Sequence, residues 1–385
     1  MNRADELIQA SLFRLLKHME KEEYMGYDPY DGLTSPLFNL PLLSSSHKIR
    51  FYSQQIIKRS RVNLRPLLGI KKRLNPVTLG LAVQSYATLY AATKKEEYRT
   101  KASELIKTLE SLIPNGFHGA CWGYDFPWEA RYATIPAYQP TIVATGIIAN
   151  GLFEAWEKMQ SDHAAKLLGS TAAFVMNDLN RQNDSDGSFC FSYSPFDKEM
   201  VFNASMKGVR LLSQAYLVNK DGTYLNAAEG AVKWVMKHQT PEGSWVYSKR
   251  NTGKWVDNYH TGYILDCLES YIRISNDHQY LPALNNGIKY YTSNFITNTG
   301  QPKFYNNEPY PADCTAAGQT LLTLIRFNQT DLAKTVAVWM HDHMQSEKGN
   351  FYFRKYKTHI EKTDFMRWSD AWMLAGLSAL YPYTF

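Results

Sequence analysis

A ring of six helical hairpins, an (α/α)6 toroid, is the all-α fold that this sequence predicts, and three observations predict it. A glycine-centred pattern recurs: Gly80, Gly146, Gly208, Gly262, Gly318 and Ala371 align with steps of 66, 62, 54, 56 and 53 residues. Segments apolar nearly all round the helical wheel alternate with amphipathic ones. A loop rich in glycine and aromatic residues then follows each pair, and a period of this size marks a repeat architecture.

The elements follow in order. An amphipathic helix over about residues 3–24 and the loop "GYDPYDGLTSPLF" supply the outer helix and loop before the first inner helix, with an extended insertion at about 36–74. The inner helices are "NPVTLGLAVQSYATLY", "PTIVATGIIANGLFEAW", "NASMKGVRLLSQAY", "DNYHTGYILDCLESY", "DCTAAGQTLLTLIRF" and "RWSDAWMLAGLSALY". Small residues come early in each and an aromatic near the end, as suits a helix packed on both sides. The outer helices include "KKEEYRTKASELIKTLESLI" and "TDLAKTVAVWMHDHM", apolar at spacings of three and four. Loops such as "CWGYDFPW", "DGSFCFSYSP", "EGSWVYS" and "KGNFYFRKY" stop the outer helices at glycine and read as small hairpins. Ring closure gathers these loops at one rim, so a single toroid domain over 1–385 is expected, with an open solenoid as the alternative.

Composition narrows the function. Of 385 residues, 44% are hydrophobic and 20% charged, which places the chain among globular proteins. No apolar run is long enough to span a bilayer, and charge in every turn of the N-terminal helix argues against a signal peptide, so a cytoplasmic location is expected. Net charge is +6 without a long Lys/Arg run, which gives no support to nucleic-acid binding and leaves room for an acidic substrate. Four scattered cysteines have neither zinc-site nor disulfide-scaffold spacing. No P-loop, dinucleotide fingerprint or GxSxG occurs, so no cofactor is expected. The "HDH" at 341–343 lies on a helix, where i and i+2 point apart, so no metal ligand set is expected either. Aromatic residues make 14% of the chain, many beside polar residues in loops, which suits stacking on sugar rings.

Two resemblances add to this reading. "GAVKWVMKHQTPEGSW", with Gln239, Gly243 and Trp245, resembles the repeat of triterpene cyclases and prenyltransferase-like toroids. "DCTAAG" resembles the cyclase motif with a protonating Asp at Asp313, although Ala317 stands where that family has Glu. More widely, "GYDPYDGL", "CWGYDFPWEAR", "PTIVATG", "DNYHTGY" and "RWSDAWM" resemble toroid proteins encoded near bacterial surface-polysaccharide synthesis genes, whose layout is similar to six-hairpin glycosidases and toroidal lyases or epimerases. The resemblance implies an oligo- or polysaccharide substrate and association with polysaccharide-synthesis machinery.

Glycosidic cleavage needs two carboxyl groups flanking the bond, and Asp125 or Glu129 with Asp257 are the candidates. "DNYHTGY" carries the most chemistry. Asp257 and His260, three apart, meet on one helical turn, and Tyr263 follows, with Asn258 between them as a binding residue. A base and a tyrosine acid there suit proton abstraction at C5 of a uronic acid, so a lyase or C5-epimerase is the alternative to hydrolysis. Tyr124, Trp128, Tyr193, Trp245, Tyr247 and Trp368 are expected at the substrate as aromatic surfaces. Arg131 and Arg354 are expected to grip a carboxylate, and Arg367 to pair with Asp370 at i,i+3. Asp313 and Asp257 also read as helix N-caps. Asp28 and Asp31 are expected to support the first loop. A terpenoid-cyclase-like enzyme acting through Asp313 and a non-catalytic glycan-binding toroid are the readings from other classes.

Overall fold

The structure, a computed structural model, describes residues 2–130, 134–250 and 253–385. Its helices are α1 (Arg3–Lys21), α2 (Pro41–Ser44), α3 (His47–Arg59), α4 (Pro76–Thr93), α5 (Glu96–Ser111), α6 (Ile142–Met159) and α7 (Asp162–Asn177). They continue as α8 (Phe202–Asn219), α9 (Gly222–Met236), α10 (Asn258–Ser275), α11 (Leu281–Phe295), α12 (Cys314–Arg326), α13 (Thr330–Met344) and α14 (Ala371–Leu380). Helices α4, α6, α8, α10, α12 and α14 pack each on the next, and α14 returns to α4. The ring is closed, which excludes the open solenoid. Outside it lie α5, α7, α9, α11, α13 and α1, the last packed on α13 and α14, so the N-terminal helix is the outer member of the final pair.

The repeated glycines mark where inner helices touch. A Cβ on Gly80 would lie 2.9 Å from Ile148 Cα of α6, and one on Gly318 would lie 2.3 Å from the Trp372 carbonyl of α14. Only glycine permits that approach. The loop glycines serve a different need: Gly243 has φ +104°, open to glycine at little cost. Between inner and outer helices the turns are shorter, and Lys94, Gln160, Lys220 and Asn276 take the left-handed conformation, each donating its N–H to a carbonyl four residues back.

Short antiparallel pairs form in the rim loops: β1 (Met25–Gly26) with β2 (Arg73–Leu74), β3 (Trp128–Glu129) with β4 (Thr134–Ile135), and β5 (Arg181–Asn183) with β6 (Phe189–Phe191). The three-stranded sheet β7 (Ala312–Asp313), β8 (Tyr352–Lys355) and β9 (Ile360–Asp364) sets Arg354 opposite both Asp313 and Glu361. The last inner segment does not start as an α-helix. Residues Met366–Asp370 form a π-helical turn that runs into α14.

The 36–74 segment contains a helix of thirteen residues, α3, capped by Ser46. It is tied to the second rim loop through Gln54, which is buried. Its amide accepts from Glu129 N at 3.0 Å and donates to Glu129 O at 3.3 Å.

Candidate functional site

The N-termini of the inner helices point to one rim, where their loops enclose a cleft of about 1020 Å³. Of the candidates from the sequence, Tyr124, Trp128, Glu129, Tyr193, Tyr247, Asp257, His260, Tyr263, Arg354, Arg367 and Trp368 line the cleft.

The first turn of α10 brings a carboxylate, an imidazole and aromatic rings together at the cleft wall. Asp257 is its N-cap: Oδ1 accepts the backbone N–H of His260 at 3.0 Å, while Oδ2 accepts His260 Nδ1 at 2.7 Å and Trp255 Nε1 at 2.9 Å. Capping and orienting are thus done by different oxygens of one carboxylate. With Nδ1–H given to Asp257, the lone pair of the ring is on Nε2, and His260 lines the cleft. Aromatic rings hold the imidazole: Tyr259 at 4.0 Å between centroids, Tyr247 at 4.7 Å and Tyr263 at 6.1 Å. Tyr247 in turn stacks on Trp255 at 4.7 Å and 12°.

Positive charge is placed by buried carboxylates outside the cleft. Asp313 caps α12 through Oδ1 and takes Arg354 Nε at 2.6 Å and Trp368 Nε1 at 3.1 Å on Oδ2. Asp28 takes Arg367 Nε at 2.5 Å and Nη2 at 2.9 Å, a bidentate clamp. Arg367 therefore pairs with Asp28 and not with Asp370, a correction to the i,i+3 expectation. The π-helical turn changes the spacing, and Asp370 Oδ1 instead accepts Phe351 N at 2.8 Å.

Other candidates lie away from the cleft lining. Asp125 is buried against Asn75 and Arg73, its Oδ2 3.3 Å from Arg73 Nε; burial and the charge of Asp28 push its carboxyl up to about 6. Trp245 is in the core with Nε1 donating to Val235 O at 3.1 Å, so its expected role at the substrate is corrected: the indole N–H is already satisfied inside the fold. Asn258 is fully buried, donating to Lys303 O at 3.0 Å and accepting from Tyr291 Oη at 2.6 Å. Asp370 is also fully buried. Arg131 lies outside the described residues. Glu129 reaches the cleft wall, but Arg50 Nε (2.6 Å), His47 Nε2 (3.2 Å) and Thr134 Oγ1 (2.7 Å) occupy its carboxylate.

Sequence reasoning missed three features. Tyr30 receives a 2.5 Å hydrogen bond from Lys58 Nζ of α3. Burial would raise its hydroxyl, but Lys58, Arg354 and Arg367 outweigh burial and hold it below the usual tyrosine value. Glu361 lines the cleft, and burial pushes it up to about 7 despite Arg354. Beneath the cleft, on the ring axis, the buried Lys207 ammonium sits 3.7 Å over the Tyr263 ring, and burial lowers it to about 7. Tyr30 depends on Lys58 and on Arg354 and Arg367, far along the chain, and Glu361 on its burial in the assembled cleft. Lys207 sits within "NASMKGVRLL", where a lone lysine on an apolar helix was the available signal.

The fold and cleft define an (α/α)6 toroid with a polar, aromatic-lined site at one rim. Among solved structures, the chain is similar to the cellobiose 2-epimerase from Bacillus thermoamylovorans (TM-score 0.63, 11% identity, covering 82% of this chain and 90% of that one). It is likewise similar to the GH76 α-mannanase of Bacteroides thetaiotaomicron (TM-score 0.62, 14% identity, 80% and 86%) and to a D-mannose isomerase (TM-score 0.59, 13% identity, 80% and 86%). At such identities the likeness shows the fold. The sequence matches no protein-family model and no curated relative.

Proposed function

We propose that this chain is a carbohydrate-active enzyme that moves a proton at a sugar carbon beside a carboxylate or carbonyl, the epimerase or lyase chemistry. The observation that carries it is the Asp257–His260 pair, with Nε2 of His260 at an aromatic-walled cleft. A base for carbon needs a lone pair aimed at substrate and a fixed ring, and Asp257 provides the fixing. Epimerisation also needs a proton donor, and lyase chemistry an acid at the leaving oxygen. Tyr30 is the group best suited to either, since its hydroxyl is held below its ordinary value by Lys58 and the two arginines. Arg354 and Arg367 favour a substrate with a carboxylate, and a uronic-acid glycan of a bacterial surface polysaccharide is the one to try first. Similarity to an epimerase and an isomerase supports the reading at the level of fold.

The test is incubation with oligouronides in deuterated water. Deuterium entering C5 without cleavage identifies an epimerase; an unsaturated product absorbing in the ultraviolet identifies a lyase. His260→Gln is expected to lower either rate by about 10²- to 10⁴-fold. New reducing ends with neither signature would sink the proposal and favour glycosidic hydrolysis. That second reading has one observation of its own: Glu361, pushed up to about 7, is a carboxyl suited to donate a proton at neutral pH.

A further inference from the structure

Away from the cleft, three side chains from distant parts of the chain converge. His18 comes from the last turn of α1, Asp364 ends β9, and Asp370 closes the π-helical turn before α14. His18 Nε2 lies 3.1 Å from Asp364 Oδ2 and 3.7 Å from Asp370 Oδ2, and one donor atom from each residue lies within 4.8 Å of the others. His18 is 8% and Asp370 0% exposed. Phe351 N–H fixes Oδ1 of Asp370. Its Oδ2 is turned toward His18 and the Asp364 carboxyl, and among the described residues no N–H or hydroxyl donor bonds either that oxygen or Asp364 Oδ1. None of the three lines the cleft, so the substrate does not account for them.

Two carboxylates crowded in a buried site repel each other. Two carboxylates and a neutral imidazole together carry the charge that one divalent cation neutralises. The spacing fits as well: metal–ligand bonds of about 2.0–2.2 Å put tetrahedral ligands roughly 3.3 Å apart, and the two distances from His18 bracket that value. One nitrogen and two oxygens suit a first-row divalent ion more than magnesium or calcium, which prefer oxygen alone. We propose that His18, Asp364 and Asp370 form a binding site for a divalent transition-metal ion, with zinc the best match. The ion pins α1 to β9 and to the turn that leads into α14 and so acts on ring closure rather than on substrate; a water fills the fourth position from the side of Asp364, the most exposed ligand.

The competing account has no metal: the three side chains are held together by protons shared among them, as between the Asp364 and Asp370 carboxyls. To separate the two, the full chain is stripped with EDTA, equilibrated with zinc or manganese, freed of excess ion, and assayed for metal content and thermal unfolding. The expected result is about one zinc per chain, absent from His18→Gln and Asp364→Asn. Zinc at a hundredfold excess over Kd is expected to raise the Tm of the wild type by about 3 °C and leave both variants unmoved. Asp364→Asn, at a partly exposed position, keeps the test valid where His18→Gln fails to fold. Equal zinc content in wild type and folded Asp364→Asn overturns the proposal, as does a wild type that retains no zinc or manganese, or one that retains only magnesium or calcium.

Discussion

The loops "GYDPYDG" and "GYDFPW" read almost alike, follow outer helices, and face the same rim, yet Asp28 of the first and Asp125 of the second have very different partners. Asp28 of the first holds a buried guanidinium, Arg367, in a bidentate clamp and so places a cation at the cleft. Asp125 of the second meets a neutral amide, Asn75, and an arginine, Arg73, whose side chain is 41% exposed. Burial therefore dominates at Asp125, and its carboxyl is pushed up to about 6. The lesson is that a repeated motif conserves a position on the ring but not the energetics of that position, which the partner decides.

The largest expected effect follows from breaking the first loop. Asp28→Asn leaves Arg367 buried without an anion, and removing one partner of a buried pair costs about 3–5 kcal/mol. Urea unfolding is expected to show that loss, and turnover is expected to fall with it because Arg367 is no longer fixed at the cleft. A variant as stable as the wild type would show that Asp28 is not what holds the guanidinium.

The matching change in the second loop is expected to have the opposite sign. A carboxyl whose folded pKa is raised contributes stability that is fully present below its unfolded value, near pH 4, and lost as pH rises through about 6. Well above pH 6 the buried carboxylate is a net burden of about 3 kcal/mol, Arg73 included. Asp125→Asn escapes it, so its Tm is expected to be no higher than wild type at pH 4 and higher at pH 7.5. A lower Tm across the whole range would place Asp125 with Asp28 as a clamp and end the contrast.

The fold was legible because ring packing writes itself locally. Apolar inner segments, glycines where helices touch, and a turn glycine such as Gly243 are all properties of short stretches. The Asp257–His260 pair was legible for the same reason, being one helical turn. What the sequence hid is set by closure. Asp28 and Arg367 are 339 residues apart, and His18 and Asp364 are 346 apart. Tyr30 gains its character from Lys58 on a helix inside the segment expected to be an extended insertion. Trp245 misled because an aromatic after a loop glycine looks like a binding surface until its N–H is traced to Val235, ten residues back. A ring brings the two ends of the chain together, and no local pattern announces which side chains meet there.

The smallest expected effect sharpens the comparison at a third carboxylate, Asp257, which differs from both loop aspartates in that its chief partner is a titratable ring. Trp255 donates to the same oxygen that orients His260, at 2.9 Å. Trp255→Phe removes that hydrogen bond and leaves a ring to stack on Tyr247, a loss of about 1 kcal/mol. Two readouts separate the consequences. Because Asp257 keeps the helix cap through its other oxygen, Tm is expected to move by no more than about 2 °C. Turnover is expected to fall about fivefold, since the carboxylate loses one of the two contacts that hold Oδ2 against the imidazole. A variant with unchanged turnover but lowered Tm would mean that Trp255 supports α10 and not the orientation of His260, and the dyad would then owe its geometry to the helix cap alone.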